Sequence, residues 1–256
     1  MQKRMLSALL SLYIAFFSLF GAMTVTADQS QNDQKRVASE YLSENMYSDF
    51  ENTADEKTVT VAAGVNDLAL SCKSAILIET STGAVLYEHN ADEVRAPASI
   101  TKIMTLLLVM EAIEDSKLSL DDTIVTGPHA RSKGGSQIWL EDGEQMTAGE
   151  LIKAVAVASA NDAATALAEH IAGSEEAFVV LMNNRAKSLG MYNTNFVNCC
   201  GLDADGHVTT ARDIAIMSRE LLKHGMIREY SQIWMDYLRG GKTQLVNTNK
   251  LVRFYK

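Results

Sequence analysis

The sequence predicts an α+β domain carried behind an export segment. Three observations point there: an apolar stretch after two N-terminal cations, a pair of β-rich runs around Ser81-Thr82-Gly83, and a long succession of capped helical segments. At 256 residues and 47% hydrophobic, the chain has ample material for a core.

Lys3 and Arg4 precede an apolar run from Met5 to Met23, and Val25-Thr26-Ala27 offers small residues for cleavage before Asp28. Residues 1–27 therefore read as a signal peptide. An uncleaved anchor is the alternative, since the run is nearly long enough to span a bilayer. The Val-x-Ala ending and the polar segment after it favour cleavage, and both readings place the folded part outside the cytoplasm. Residues 28–70 are polar and acidic (Asp28, Asp33, Glu40, Glu44, Asp49, Glu51, Asp55, Glu56), the composition of a flexible spacer, with a weak amphipathic helix at 37–47 as the alternative.

Order is expected over 71–256. Ala75–Thr80 and Ala84–Glu88 flank a Ser-Thr-Gly turn and read as a β-hairpin. A helix beginning at Ser99 and ending near Lys117 follows, then a Gly-rich stretch through Gly134-Gly135-Ser136-Gln137 to Leu140. Thr147-Ala148-Gly149-Glu150 is a capping box opening a helix to about Ala158. Further helices are expected from Asp162 to Ile171, from Glu175 to Leu189 behind a Ser174 cap, and from Thr210 to before Gly225. A lone hairpin is marginal in water, so the sheet needs more strands, yet none is legible before Lys256.

A net charge of −9 without a basic stripe argues against a nucleic-acid partner. Three cysteines are too few for a disulfide scaffold, and Cys199-Cys200 are adjacent without metal-site spacing; all three read as structural or incidental. Among the conspicuous residues, His207, beside Gly206, reads as an exposed loop histidine, with a place lining the cleft as the alternative, and Trp139 and Trp234 read as packing residues, with stacking on substrate as the alternative. Glu169, Glu175 and Glu176 read as helix-surface or helix-start charges.

Ser99-Ile100-Thr101-Lys102 places a hydroxyl and an amine one helical turn apart, directly after Pro97-Ala98. The next eight residues, Ile103–Met110, are almost wholly apolar. A helix apolar on every side is normally buried. Burial lowers a lysine pKa, and a neutral amine can take a proton from a serine. About one S-x-x-K is expected by chance in a chain of this size, and an isolated match would read as an N-cap and a solvated lysine. Ser159-Ala160-Asn161 lies sixty residues on, at a break between helices and among small apolar residues, unlike the Ser30 and Ser43 copies of S-x-N in the spacer.

An ordered S-x-x-K and S-x-N in an exported chain is the pattern of penicillin-binding proteins and serine β-lactamases. The stretches Pro97–Thr105, Gly134–Gln137, Val157–Ala163 and Phe196–Asp203 resemble the exported D-alanyl-D-alanine carboxypeptidases, especially those of spore-forming and related Gram-positive bacteria. The resemblance covers about 71–256. It implies the penicillin-binding, serine β-lactamase-like transpeptidase fold: an antiparallel sheet flanked by helices, plus a helical lobe. It also implies a substrate, the D-Ala-D-Ala end of a peptidoglycan stem peptide, and β-lactams as acylating inhibitors. Position by position, Ser99 would be the nucleophile and Lys102 its general base. Ser159 would relay a proton to the departing D-alanine, and Asn161 would bind substrate and orient Lys102. The Ser99 backbone N–H would supply half of the oxyanion hole. No metal or organic cofactor is implied, and a membrane surface is a further candidate partner.

The family's third motif, K-T-G on a strand, is missing. Lys57-Thr58-Val59 falls in the spacer, and in Lys242-Thr243-Gln244 a glutamine replaces the glycine, so Lys242-Thr243 reads as a surface loop. The expectation is a chain lacking the C-terminal strands of its catalytic domain, poorly stable and weakly active by itself. A catalytically dead envelope-binding module is the alternative from a different class. A β-lactamase ranks lower, because no deacylating glutamate motif stands between Asn161 and Gly201.

Overall fold

The computed structural model of the chain describes Leu68 and residues 70–254. The export segment, the spacer apart from Leu68 and Leu70, the helix considered at 37–47 and the Lys57-Thr58 match all lie outside the described residues.

Strands β1 (Ala75–Ile78) and β2 (Val85–His89) form the expected antiparallel hairpin, with Ala75 opposite His89 and a register shift after Leu77. The Glu79 carboxylate closes its turn by accepting from the backbone N–H groups of Ser81 and Thr82. A short 3₁₀ turn, Ala98–Thr101, then leads into α1 (Lys102–Glu114). After it come β3 (Thr123–Val125), α2 (Pro128–Arg131) and β4 (Gln145–Thr147). Four helices follow: α3 (Ala148–Ala158), α4 (Asn161–Ala172), α5 (Glu175–Ser188) and α6 (Ala211–Leu221). The described chain closes with α7 (Gly225–Ser231), β5 (Met235–Leu238), β6 (Thr243–Val246) and α8 (Leu251–Phe254).

Helix α1 is buried because it is apolar all round. Met104, Leu107 and Val109 have no solvent exposure, and α3, α4, α5 and α6 all pack against it. Hairpin β1–β2 lies on α6 through β1. Arg185 of α5 reaches both Glu111 of α1 (2.7 Å) and Glu220 of α6 (3.2 Å), tying three helices with one guanidinium. Burial raises the Glu111 pKa, and Arg185 opposes that rise.

The predicted caps are present. Thr147 and Glu150 form a reciprocal capping box, Ser174 accepts from Ala177 N–H, and Thr210 accepts from Asp213 N–H. The expected Ser99 helix is corrected at both ends: its first turn is 3₁₀, and the α-helix stops at Glu114.

Strands beyond the first hairpin do exist, contrary to expectation. β3 pairs with β4 and β5 with β6, so the described residues hold three separate two-stranded antiparallel ladders. β3 and β4 are three residues each, too short for a period to show. Thr243, read as loop, opens β6. Arg239, Gly240 and Gly241 make the intervening turn with positive φ, and Leu238 and Leu245 are its inward residues.

Replacing Thr147 by alanine is expected to cost about 1 kcal/mol, because the Oγ1 acceptor of the Glu150 N–H at the α3 N-terminus is lost while the backbone N–H of residue 147 keeps its bond to Glu150. Denaturant midpoints of the two proteins check this.

Candidate active site

The 3₁₀ turn and the first residue of α1 bring Ser99 and Lys102 together. Ser99 is exposed, whereas Lys102 is only 4% exposed. Lys102 Nζ donates to Ser99 Oγ at 3.3 Å and to the Cys200 carbonyl at 2.7 Å. Burial lowers the Lys102 pKa below the usual 10.5, with the neighbouring Cys200 and Cys199 thiols opposing the shift. Ser99 sits in the first turn, where a backbone N–H has no carbonyl one turn back within the helix.

The carbonyl that receives Lys102 is aimed by Asn198. Its Oδ1 accepts from the N–H groups of Cys200, Gly201 and Leu202, and its Nδ2 donates to the Leu202 carbonyl at 2.7 Å. This bends the 198–202 loop onto the start of α1, where Thr105 Oγ1 also donates to the Cys199 carbonyl. Gly201 has φ +86°, and a Cβ there would lie 1.9 Å from the Ala98 carbonyl oxygen and 2.9 Å from Ser99 N. Both cysteines are buried free thiols, and their backbones are what the site uses.

Ser159 and Asn161 occupy the junction of α3 and α4. Ser159 ends α3 in the left-handed conformation (φ 55°, ψ 37°), half-buried, and Ala160 turns extended before Asn161 begins α4. Asn161 is 4% exposed. Its Nδ2 donates to the Gly134 carbonyl at 2.6 Å, which fixes the amide orientation, and its backbone N–H donates to the Ser136 carbonyl. The remaining atom, Asn161 Oδ1, is buried with no partner. Such an acceptor costs about 1–3 kcal/mol unless a donor arrives. Thr165, one turn along α4, contacts Cys199 Sγ at 3.6 Å and so joins this junction to the loop that holds Lys102. The bonds of Lys102 Nζ run to Ser99 and Cys200; Asn161 is not among its partners in this structure.

The Gly-rich segment is clamped from two sides. Buried Asp162 accepts from the N–H groups of Ile138 and Leu140. Arg239 donates to the Ile138 carbonyl at 2.9 Å, to Thr243 Oγ1 and to Glu144, holding the β5–β6 hairpin against this loop. Among the described residues, no group of three or more His, Cys, Asp or Glu side chains is placed to hold a metal ion.

Residues 58–256 match the family model described as D-alanyl-D-alanine carboxypeptidase. The chain belongs to this carboxypeptidase family. It is 52% identical over 193 residues to the D-alanyl-D-alanine carboxypeptidase DacF of Bacillus subtilis (strain 168), covering 74% of this chain and 50% of the relative. It is 38% identical over 190 residues to DacC of Escherichia coli (strain K12), covering 72% and 47%. The chain thus spans about half the length of these curated relatives. Among solved structures it resembles penicillin-binding protein 6B of Escherichia coli (TM-score 0.71, 30% identity, 75% of this chain and 62% of that one). It also resembles penicillin-binding protein D2 of Listeria monocytogenes in its cefotaxime-bound form (TM-score 0.66, 33% identity, 74% and 77%). The penicillin-binding fold expected from the sequence is therefore the fold of this carboxypeptidase-family chain.

Several supporting residues of this family member were not legible beforehand. Glu175, expected on a helix surface, is 6% exposed and accepts from Lys133 Nζ (2.5 Å), His129 Nε2 (2.8 Å) and Cys199 N–H (3.0 Å). Burial pushes its carboxyl up, but these hydrogen bonds outweigh burial and hold it at about 2. His207, expected on an exposed loop, is 3% exposed. Trp139, expected to pack, is 73% exposed with φ +60°; Trp234 lies under the Arg253 guanidinium at 4.2 Å. Lys242 is exposed beside the β5–β6 turn. A signal for Asn198 existed in its Asn-x-x-Gly spacing, a common device for bending a loop.

Gly201→Ala is expected to destabilise the chain by about 2–5 kcal/mol, the sum of a left-handed backbone penalty and overpacking against Ala98. Thermal unfolding measures it. Because the folded pKa of Glu175 is depressed, its contribution is complete above the ordinary carboxylate value of 4.5 and is lost as pH falls toward about 2. Glu175→Gln is expected to lower stability at pH 7 by about 3 kcal/mol and to flatten the acid limb of the stability profile.

Proposed function

We propose that the chain acts as a D-alanyl-D-alanine carboxypeptidase with Ser99 as its nucleophile, removing the terminal D-alanine of peptidoglycan stem peptides, and is acylated by β-lactams. The observation that carries this reading is the Ser99–Lys102 pair, with an exposed hydroxyl 3.3 Å from an almost fully buried amine. Family membership supports it, as does the cefotaxime-bound state of the Listeria structure.

In the neutral state Lys102 keeps its donor bond to Cys200 and turns its lone pair toward Ser99. The Ser99 proton passes to Nζ as Oγ bonds the carbonyl carbon of the terminal amide. The developing oxyanion takes the Ser99 N–H. As the C–N bond breaks, Ser159 gives its proton to the leaving amine of D-alanine and takes one in turn from the Lys102 ammonium, which returns to the neutral amine. Asn161 hydrogen-bonds the substrate backbone from the junction of α3 and α4. Water then hydrolyses the acyl-enzyme. The reaction places the protein in the cell envelope, with residues 1–27 as its cleaved export signal and a membrane surface as a neighbour. Among the described residues no helix is long and apolar enough to cross a membrane.

Incubation with a fluorescent penicillin is expected to give a covalent adduct on the Ser99 peptide, absent in Ser99→Ala. D-alanine release from a pentapeptide is expected to vanish with the same substitution. Since the neutral lysine is the base, acylation is expected to rise with pH on a limb set by Lys102, below the usual lysine value of 10.5. No adduct on Ser99 would refute the reading.

A further inference from the structure

Among the described residues the Ser99 hydroxyl has Lys102 as its hydrogen-bond partner, so its position depends on the residues on either side. Ala98, immediately before it, has φ +47°, a left-handed conformation that an alanine keeps only when its surroundings enforce it. Two contacts do so. Gly201 lies flat against the Ala98 carbonyl, and Thr101 Oγ1 donates to that same carbonyl oxygen at 2.8 Å.

Thr101 is fully buried, and its hydroxyl has one proton, which the Ala98 carbonyl takes. Its second neighbour, His207 Nε2 at 2.7 Å, must therefore donate. The other end of the ring gives the same answer independently. His207 Nδ1 is 2.9 Å from the Val197 backbone N–H, a group that can only donate, so Nδ1 is bare. One tautomer, neutral and protonated on Nε2, satisfies every group in the row Val197, His207, Thr101, Ala98. The ring is seated by Phe196 edge-on at 5.9 Å. The backbone around it is fixed by the Asn195–Val208 and Arg95–Thr209 bridges.

We infer that His207 is a positioning residue for Ser99: acting through Thr101, it holds the Ala98–Ser99 turn so that the hydroxyl faces Lys102. The catalytic consequence rests on the acyl-enzyme reading above; the hydrogen-bonded row does not. Protonation at Nδ1 would set two donors face to face and break the row at Val197. Burial keeps the ring neutral by lowering its pKa, against the pull of Asp203; Asp205 is the other charged group on the cavity of about 450 Å³ that His207, Ala98 and Asp203 line.

The test uses the full chain and benzylpenicillin, with the maximal acylation rate and the half-saturating concentration measured separately. Thr101→Val and His207→Asn are each expected to lower the maximal rate about tenfold, the worth of one lost hydrogen bond, with the half-saturating concentration unchanged within about twofold. Thr101→Ser, which keeps the hydroxyl, is expected to restore the rate. The Thr101→Val/His207→Asn pair is expected to be no slower than its slower member, since both act on one row. A wild-type rate for Thr101→Val, or a Thr101→Ser as slow as Thr101→Val, overturns the inference. Ring ¹⁵N shifts of the unmodified chain decide the row without any turnover: the Nε2–H tautomer supports it, and the Nδ1–H tautomer overturns it. If the wild-type chain takes no penicillin, the acyl-enzyme reading fails, and these shifts still settle the histidine.

Discussion

A 2.7 Å hydrogen bond from Lys102 Nζ to the Cys200 carbonyl makes it tolerable to bury a lysine beside Ser99. An unpaired ammonium or amine at 4% exposure would be costly in either protonation state, and a backbone carbonyl serves both. Much of the local architecture follows from keeping that carbonyl in place. Asn198 bends the loop that carries it, and Gly201 lets the loop reach the Ser99 turn. Glu175 anchors the loop from the far side by accepting the Cys199 N–H. Glu175, with Lys133 and His129 on its carboxylate, thus supports the site at one remove, through the Cys199 backbone rather than through Ser99 or Lys102.

The sequence made the candidate site residues legible because their constraints are local. Ser99 and Lys102 are one turn apart, and the apolar run behind them says that the lysine is buried. Ser159 and Asn161 were visible as a polar pair at a helix break within an alanine-rich stretch. Helix caps at Thr147, Ser174 and Thr210 were equally local, since each partner lies three residues away.

What stayed hidden depends on partners far along the chain. Glu175 meets Lys133, 42 residues away, and His207 meets Thr101, 106 residues away; neither pairing leaves a period or a spacing to read. A histidine next to a glycine in a polar stretch has the composition of a loop, and only the fold shows that this loop lies inward. β3 and β4 escaped for a different reason, since three-residue strands take their pairing from position rather than from alternation. Trp139 ran against its type: clamped through its neighbours by Asp162 and Arg239, its backbone is set first and the indole is left in solvent.

The left-handed backbone at Ser159 restricts how this position can drift over evolutionary time. Threonine offers the same hydroxyl and would look like the mildest exchange, but a β-branched residue at φ 55° is a steric outlier. Asparagine, aspartate and glycine accept that backbone and lose the hydroxyl. The proton relay proposed for Ser159 and its backbone conformation thus favour different substitutes, and serine is the residue that meets both demands. A lineage that kept the reaction would show serine here through the joint action of the two filters, even while neighbouring alanines changed freely.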